Sequence, residues 1–359
     1  MRPSVTGEIR VLVSLGFLLA GGLFAGVLAV GTESAPVAPP VLHAVAVPAE
    51  EERPPISTLV DDPVSGQSVP RAQADRRPIA VMIDNYPDAR PQWGLSFASR
   101  IYEALTEGGI TRYLAIFGPD DADRVGPVRS ARTQFLGYAL ELHAAIAHVG
   151  GNEDALDRIV ALHVVNLDQF RNAEAYRRIF RPRVALEHTM FTSTRALRAA
   201  AEHIAWPPDL SIARPLWKAE VPLDQRPAAQ RVSVDFSSPP YKVTWVYRRA
   251  TNDYERILAG AQDVDAATGR PLTAKSIAIA VITRTHGRTQ IGEDTWTFAD
   301  VGSGEAWVVQ DGTATPARWE KASVRDRLRF LDETGHEIAL DRGPQWVEIV
   351  PPEVEPDIQ

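Results

Sequence analysis

Between residues 79 and 162 short apolar runs alternate with amphipathic stretches. IAVMID at 79–84 is a continuous apolar run closed by Asp84 and predicts a buried strand. Residues 96–107 place Phe97, Ile101, Ala104 and Leu105 at helical spacing, with Ser99, Glu103, Thr106 and Glu107 opposite them and Gly108-Gly109 as a stop, which predicts a helix. YLAIFG and AIAHVGG read as further strands, and 133–145 and 153–162 as further helices. Strand and helix in alternation predict an α/β domain of layered sandwich type over 59–205. At 206–230 the pieces WPPDL, RPLW and DQRP break the pattern and read as an interdomain linker. From 231 to 352 VSVDF, YKVTWVYR, SIAIAVITRT, DTWTFADV, EAWVVQDG and PQWVEIV are short β-rich runs between turn residues, a smaller C-terminal β-rich domain followed by a tail at 353–359. Trp245, Trp296, Trp307, Trp319 and Trp346 lie on or beside these runs, as core packing or as a stacking platform for sugars.

The N-terminal residues change the picture. Residues 11–30, Val11 to Val30, hold no charge and are long enough to cross a bilayer, so one transmembrane helix, a retained signal anchor, is expected there. Arg2 and Arg10 precede the run and no Lys or Arg follows before Arg53, which places the tail at 1–10 in the cytoplasm and the bulk of the chain outside it, a single-pass cell-membrane protein. Residues 31–58, with six prolines and Glu50-Glu51-Glu52, form a linker with reach.

The length of 359 residues fits two domains plus extensions. A formal charge of −8 argues against nucleic acid as a partner. Without cysteine the chain has no disulfide, no thiolate nucleophile and no lipid-modified cysteine. Neither GxxxxGK[ST] nor GxGxxG occurs, no pair of histidines has ligand spacing on one helix, and Ser130 and Ser193 lack a GxSxG elbow, so no cofactor and no metal are expected.

The candidate chemistry lies at element ends. Glu103 and Glu107, four apart on the expected helix, repel each other, and Glu107 also meets the negative end of the dipole. Arg129 and Arg132, in GPVRSART, stand unfavourably at the start of the next helix. The misfits suit either an internal Glu–Arg network or an anion site made by the arginines, Ser130 and free helix N–H groups. Asp84-Asn85 and His148, Gly150 and Asn152 each end an apolar strand; if those strands are parallel neighbours, both ends face one crevice. The expected ligand-binding set is Asp84, Asn85, Glu103, Glu107, Arg129, Ser130, Arg132, His148, Gly150 and Asn152. In an enzyme, Glu107 is the acid or base, Asp84 its carboxylate partner and His148 a third candidate, with Arg129 stabilising charge.

MIDN, ARPQWGLSFASRIYEALTEGGITRYLAIF, GPVRSART, HVGG, VGSGEAWV and WVEIVP together resemble the YerB-like bacterial family over roughly residues 60–351. Asp84, Asn85, Arg90, Gln92, Glu103, Glu107, Thr111, Arg112, Arg129, Ser130, Arg132, His148 and Gly150 stand at its motif positions. The resemblance implies a two-part envelope lipoprotein of unknown function, an α/β sandwich followed by a β-rich domain. Two departures stand out: the lipobox cysteine is absent, and Glu187-His188-Thr189 replaces a Pro-His-Asn type run. The expected function is binding or scaffolding of an anionic envelope ligand or a protein partner. The alternatives are a hydrolase of peptidoglycan or polysaccharide, and a protein whose polar cluster is structural and whose C-terminal part docks a partner.

Overall fold

The computed structural model describes residues 59–204, 206, 212–292 and 294–359. The expected cytoplasmic tail at 1–10, membrane span at 11–30 and linker at 31–58 all lie outside the described residues, among which no helix is long and apolar enough to cross a membrane. The described residues form one compact unit.

Strand predominates, and the expectation of an α/β sandwich with a transmembrane helix before it is corrected to a mainly β protein. Its frame is one ten-stranded sheet. In chain order the strands used below are β1 (Ile79–Asp84), β2 (Arg100–Leu105), β3 (Thr111–Phe117), β4 (Ala145–His148), β5 (Asn166–Asp168), β6 (Tyr176–Arg178), β7 (Met190–Thr192), β8 (Arg231–Asp235), β9 (Lys242–Arg248), β10 (Asp253–Leu258), β11 (Ser276–Val281), β12 (Arg284–Arg288), β13 (Asp294–Phe298), β14 (Gly302–Gln310), β15 (Thr313–Lys321), β16 (Arg329–Leu331) and β17 (Gln345–Val350). The large sheet runs β16-β15-β14-β11-β17-β2-β3-β1-β4-β5. Its middle is the parallel pair β17–β2, with Gln345 opposite Arg100 and Glu348 opposite Glu103. Strands from both ends of the sequence therefore share one sheet.

Residue parity on β1 to β3 sorts the two faces. Ile79, Val81, Ile83, Ile101, Tyr113 and Phe117 join one core with Val232, Val234, Trp245 and Tyr254 of the smaller sheet built on β8, β9 and β10. Ala80, Met82, Tyr102, Ala104, Leu114 and Ile116 join the other, beneath the helices α1 (Thr133–Leu140) and α2 (Glu153–Ala161). A third helix, α3 (Thr194–Glu202), adds Leu197, Ala200 and Ala201 to the first core. Trp245, Trp319 and Trp346 are buried, while Trp296 and Trp307 are partly so.

The helix expected at 96–107 is strand β2 followed by the tight turn Glu107–Gly109. All six residues of β2 are buried. A central strand covered on both faces loses the two-residue alternation that marks a strand, and the apolar residues left over mimicked a helix. The next helix is also shorter than expected: α1 stops at Leu140, ahead of β4. Helix α2 is started by Asn152, whose Oδ1 accepts from the Ala155 amide, and Glu153 and Asp154 favour its first turn.

Candidate functional site: an arginine-lined strand edge

β1 and β4 are parallel neighbours, so Asp84 and His148 end on the same edge of the sheet. β3 runs antiparallel to β1 and begins at that edge, with Arg112 opposite Asp84. Residues 125–132 cross between them and are fixed by main chain. Asp84 N donates to Pro127 O at 2.9 Å and Arg129 N to Met82 O at 2.9 Å, while on the other side Val149 N donates to Arg129 O at 3.1 Å and Ala131 N to Gly150 O at 2.9 Å. The crossing segment delivers Arg129, Ser130 and Arg132 to one ledge.

Asp84 is buried there. Its Oδ2 accepts from His188 Nδ1 at 2.6 Å and lies 3.2 Å from Arg129 Nε, and Oδ1 accepts from the Tyr86 amide at 2.9 Å. Burial alone would push this carboxyl up; the His188 hydrogen bond, the Tyr86 amide, Arg129 and Arg112 together outweigh it and hold the group below its ordinary value. His188 arrives on the turn Leu186–His188 between β6 and β7, and its ring stacks on Tyr86 at 5.0 Å and 4°. With Nδ1 on Asp84, Nε2 has no hydrogen bond to the described residues.

Arg132 Nε donates to both Glu107 oxygens, at 2.8 and 2.7 Å. Arg112 lies between these pairs, 6% exposed, with one hydrogen bond, from Nη1 to Ser130 O at 3.1 Å. Among the described residues no carboxylate comes within ion-pair reach of it, and its Nε has no partner. Burial first, and then the like charge of Arg132, push the Arg112 guanidinium down to about 9; Asp84 and Glu107 oppose this and Arg129 adds to it. Three arginines thus face two carboxylates, and the buried arginine is the one without a counterion.

The remaining expected residues stand elsewhere. Asn85 and Glu103 belong to a buried network beneath the edge: Asn85 Nδ2 donates to Thr111 Oγ1 at 2.7 Å and to Glu103 Oε1 at 3.3 Å, and Thr111 Oγ1 donates to Glu103 Oε1 at 2.6 Å. Arg256 of β10 pairs with Glu103 and Asp263, its guanidinium over the rings of Trp346, Tyr113 and Trp245. Glu103 thereby ties the two sheets together. His148 is fully buried, with Nδ1 2.7 Å from Gly150 O and Nε2 2.8 Å from Asn166 Oδ1, so both nitrogens are engaged. Gly150, at φ 57°, donates its amide to Asp168 Oδ1 at 3.0 Å, and Asn152 caps α2 and reaches Thr295 Oγ1 at 3.1 Å. The expected set left out Arg112, Tyr86 and His188. Arg112 stood at a motif position and at the start of the apolar run TRYLAIF, and His188 stood in a run where the chain departs from the family pattern; nothing local placed His188 against Asp84, 104 residues away. Among the described residues no three His, Asp or Glu side chains converge as metal ligands.

Fold and site together define a β-dominated protein whose two sequence halves share a central sheet, with an arginine-rich edge at the strand ends of the first half. Family models match both halves: "Protein of unknown function (DUF3048) N-terminal domain" over residues 64–206 and "Protein of unknown function (DUF3048) C-terminal domain" over 232–347. The chain belongs to this DUF3048 family. It is 30% identical over 301 residues to "Putative lipoprotein YerB" of Bacillus subtilis (strain 168), covering 80% of this chain and 86% of that one. The crystal structure of the YerB protein from Bacillus subtilis superposes with a TM-score of 0.73 at 26% identity, over 83% of this chain and 99% of that chain.

Proposed function

We propose that this chain is a membrane-tethered extracytoplasmic protein that binds an anionic ligand, a phosphate or carboxylate, on the edge formed by Arg112, Arg129 and Arg132. The observation that carries the reading is Arg112, a buried guanidinium with no counterion and an unpartnered Nε among the described residues, set among like charges. A bound oxyanion supplies the missing counter-charge and accepts the forked N–H donors that arginine presents. His188 Nε2 and Tyr86 border the same ledge and orient the ligand. The location rests on the uncharged run at 11–30, on the arginines before it, and on a relative whose printed name is that of a lipoprotein; with no cysteine here, the tether is the apolar run itself.

The test is calorimetric titration and thermal shift of residues 54–359 with orthophosphate, pyrophosphate, glucuronate and muramyl peptides, in wild type and Arg112→Gln. Binding by wild type that Arg112→Gln abolishes supports the reading. Binding that survives the substitution, or none across the panel, refutes it.

One observation favours a second reading, the hydrolase. Asp84 orients His188 as a carboxylate orients a general base, leaving Nε2 free beside the arginines, whereas Glu107 is held by Arg132 and both nitrogens of His148 face oxygens. In that reading His188 takes the proton of the attacking water. Hydrolysis of a phosphoester or glycan by wild type and its loss in His188→Gln, with anion binding kept, separates it from binding alone.

A further inference from the structure

The loop joining β6 to β7 reverses the charge balance of the chain. Residues 177–186, the end of β6 and most of that loop, read RRIFRPRVAL, four arginines followed by the single exposed acid Glu187, in a chain of net charge −8. The loop leaves the body through the antiparallel pair β6–β7 and the bond from Ile179 N to Thr189 O at 2.9 Å. Arg181 turns inward and fastens it: Nη1 donates to Ala89 O at 2.9 Å, Nη2 to Arg90 O at 3.0 Å, and the guanidinium lies 5.3 Å from the Trp93 ring centroid. Arg178 Nη1 donates to Leu186 O at 2.6 Å and braces the tip. What this bracing presents outward is Phe180, 87% exposed, and Leu186, 65% exposed. Arg177 and Arg183 are exposed beside them, with no hydrogen bond or ion pair among the described residues.

A phenyl ring in water and an unpaired guanidinium have opposite solvent needs, and the headgroup region of a bilayer meets both. The ring enters the boundary of the acyl chains while the arginines stay among phosphates. We infer that residues 177–186 form a contact loop for an anionic phospholipid surface, with Phe180 and Leu186 inserted and Arg177 and Arg183 on the headgroups. A soluble polyanion satisfies the arginines but offers the ring nothing, so lipid is the occupant that uses the whole tip. The surface is separate from the ledge of Arg112, although His188, two residues beyond Leu186, belongs to both neighbourhoods.

The test is co-sedimentation of residues 54–359, the compact unit that holds both cores, with vesicles of phosphatidylcholine alone or mixed with phosphatidylglycerol. Binding to the anionic vesicles only, weakened by salt, is expected. Arg183→Ser is expected to weaken it about five-fold, and Phe180→Ser by about ten-fold or more, both without change in melting temperature because the side chains are exposed. Arg112→Gln is expected to bind vesicles like wild type, which keeps this inference separable from the anion site. Absence of vesicle binding, or full binding by Phe180→Ser, overturns it.

Discussion

Replacing Arg112 by glutamine is expected to make the protein more stable and its ledge inactive. The guanidinium is pushed well below its ordinary value, to about 9, by burial and then by Arg132. At about 1.4 kcal/mol per unit this places an upper bound of roughly 5 kcal/mol on what holding the charge costs the fold. At pH 7 the guanidinium keeps its proton and neighbouring dipoles relax around it, so only part of that bound is recoverable. Glutamine also forfeits the hydrogen bond to Ser130 O, about 1 kcal/mol, and some packing of the aliphatic stem, about another 1 to 2 kcal/mol. The expected balance is a gain of about 1 to 2 kcal/mol at pH 7, or about 2 to 4 °C in Tm. The sign with pH follows from the depressed value: between about 9 and the ordinary guanidinium value the unfolded chain binds more protons than the folded one, so wild-type stability rises with pH there and the gain from Arg112→Gln shrinks. Urea unfolding from pH 7 to 10, in buffer free of phosphate and other polyanions, measures it. A loss of more than about 1 kcal/mol at pH 7 would show that the neighbouring carboxylates already neutralise Arg112, and would remove the argument for an anion site.

Glu348 faces Glu103 across the parallel pair at the centre of the sheet, and burial first, then that carboxylate, push it far above its ordinary value against the pull of Arg256 and Trp245. The raised value means that its contribution is complete below the unfolded carboxyl value and is lost as pH climbs toward the folded one, so Glu348→Gln should match wild type at pH 4 and exceed it increasingly toward pH 8 in chemical unfolding; parallel curves refute the assignment. Arg256→Met leaves Glu103 and Asp263 buried without their cation and should cost about 3 to 5 kcal/mol in urea unfolding, and a loss below about 1 kcal/mol would mean that the ring stack rather than the charge holds this contact. Gly94 has φ 88°, and a Cβ there would come within 2.5 Å of Arg124 O while its amide is bonded to Asp265 Oδ1, so Gly94→Ala should lower stability by about 1 to 3 kcal/mol, read from the thermal midpoint.

How much the sequence disclosed depended on whether a feature is local. IAVMID announced β1 because a short apolar run closed by a polar pair has few other uses, and the amphipathic run at 153–162 announced α2, whereas Asn152, read as a ligand residue, is the N-cap of that helix. RIYEAL did not announce β2: burial on both faces erased its alternation, and the carboxylate of Glu103 passed for a solvent-facing residue because its partner Arg256 lies 153 positions away. The electrostatic misfit of Glu107 and Arg132 was visible, and they are paired. Arg129, expected in the same network, pairs with Asp84 instead, since the crossing segment sets it at the end of β1. The pairing of β17 with β2 could not have been read from either strand, since parallel partners this far apart carry no turn between them and share no local period.

That pairing bears on how the chain can be inherited and handled. A protein ending near residue 230 would lose β17 and leave β2 as a bare edge of buried, largely apolar residues, a template for self-association. The second half produced alone would expose β17 in the same way. The two halves of this chain are therefore bound to travel together, and a gene that separates them should yield aggregates rather than two working pieces.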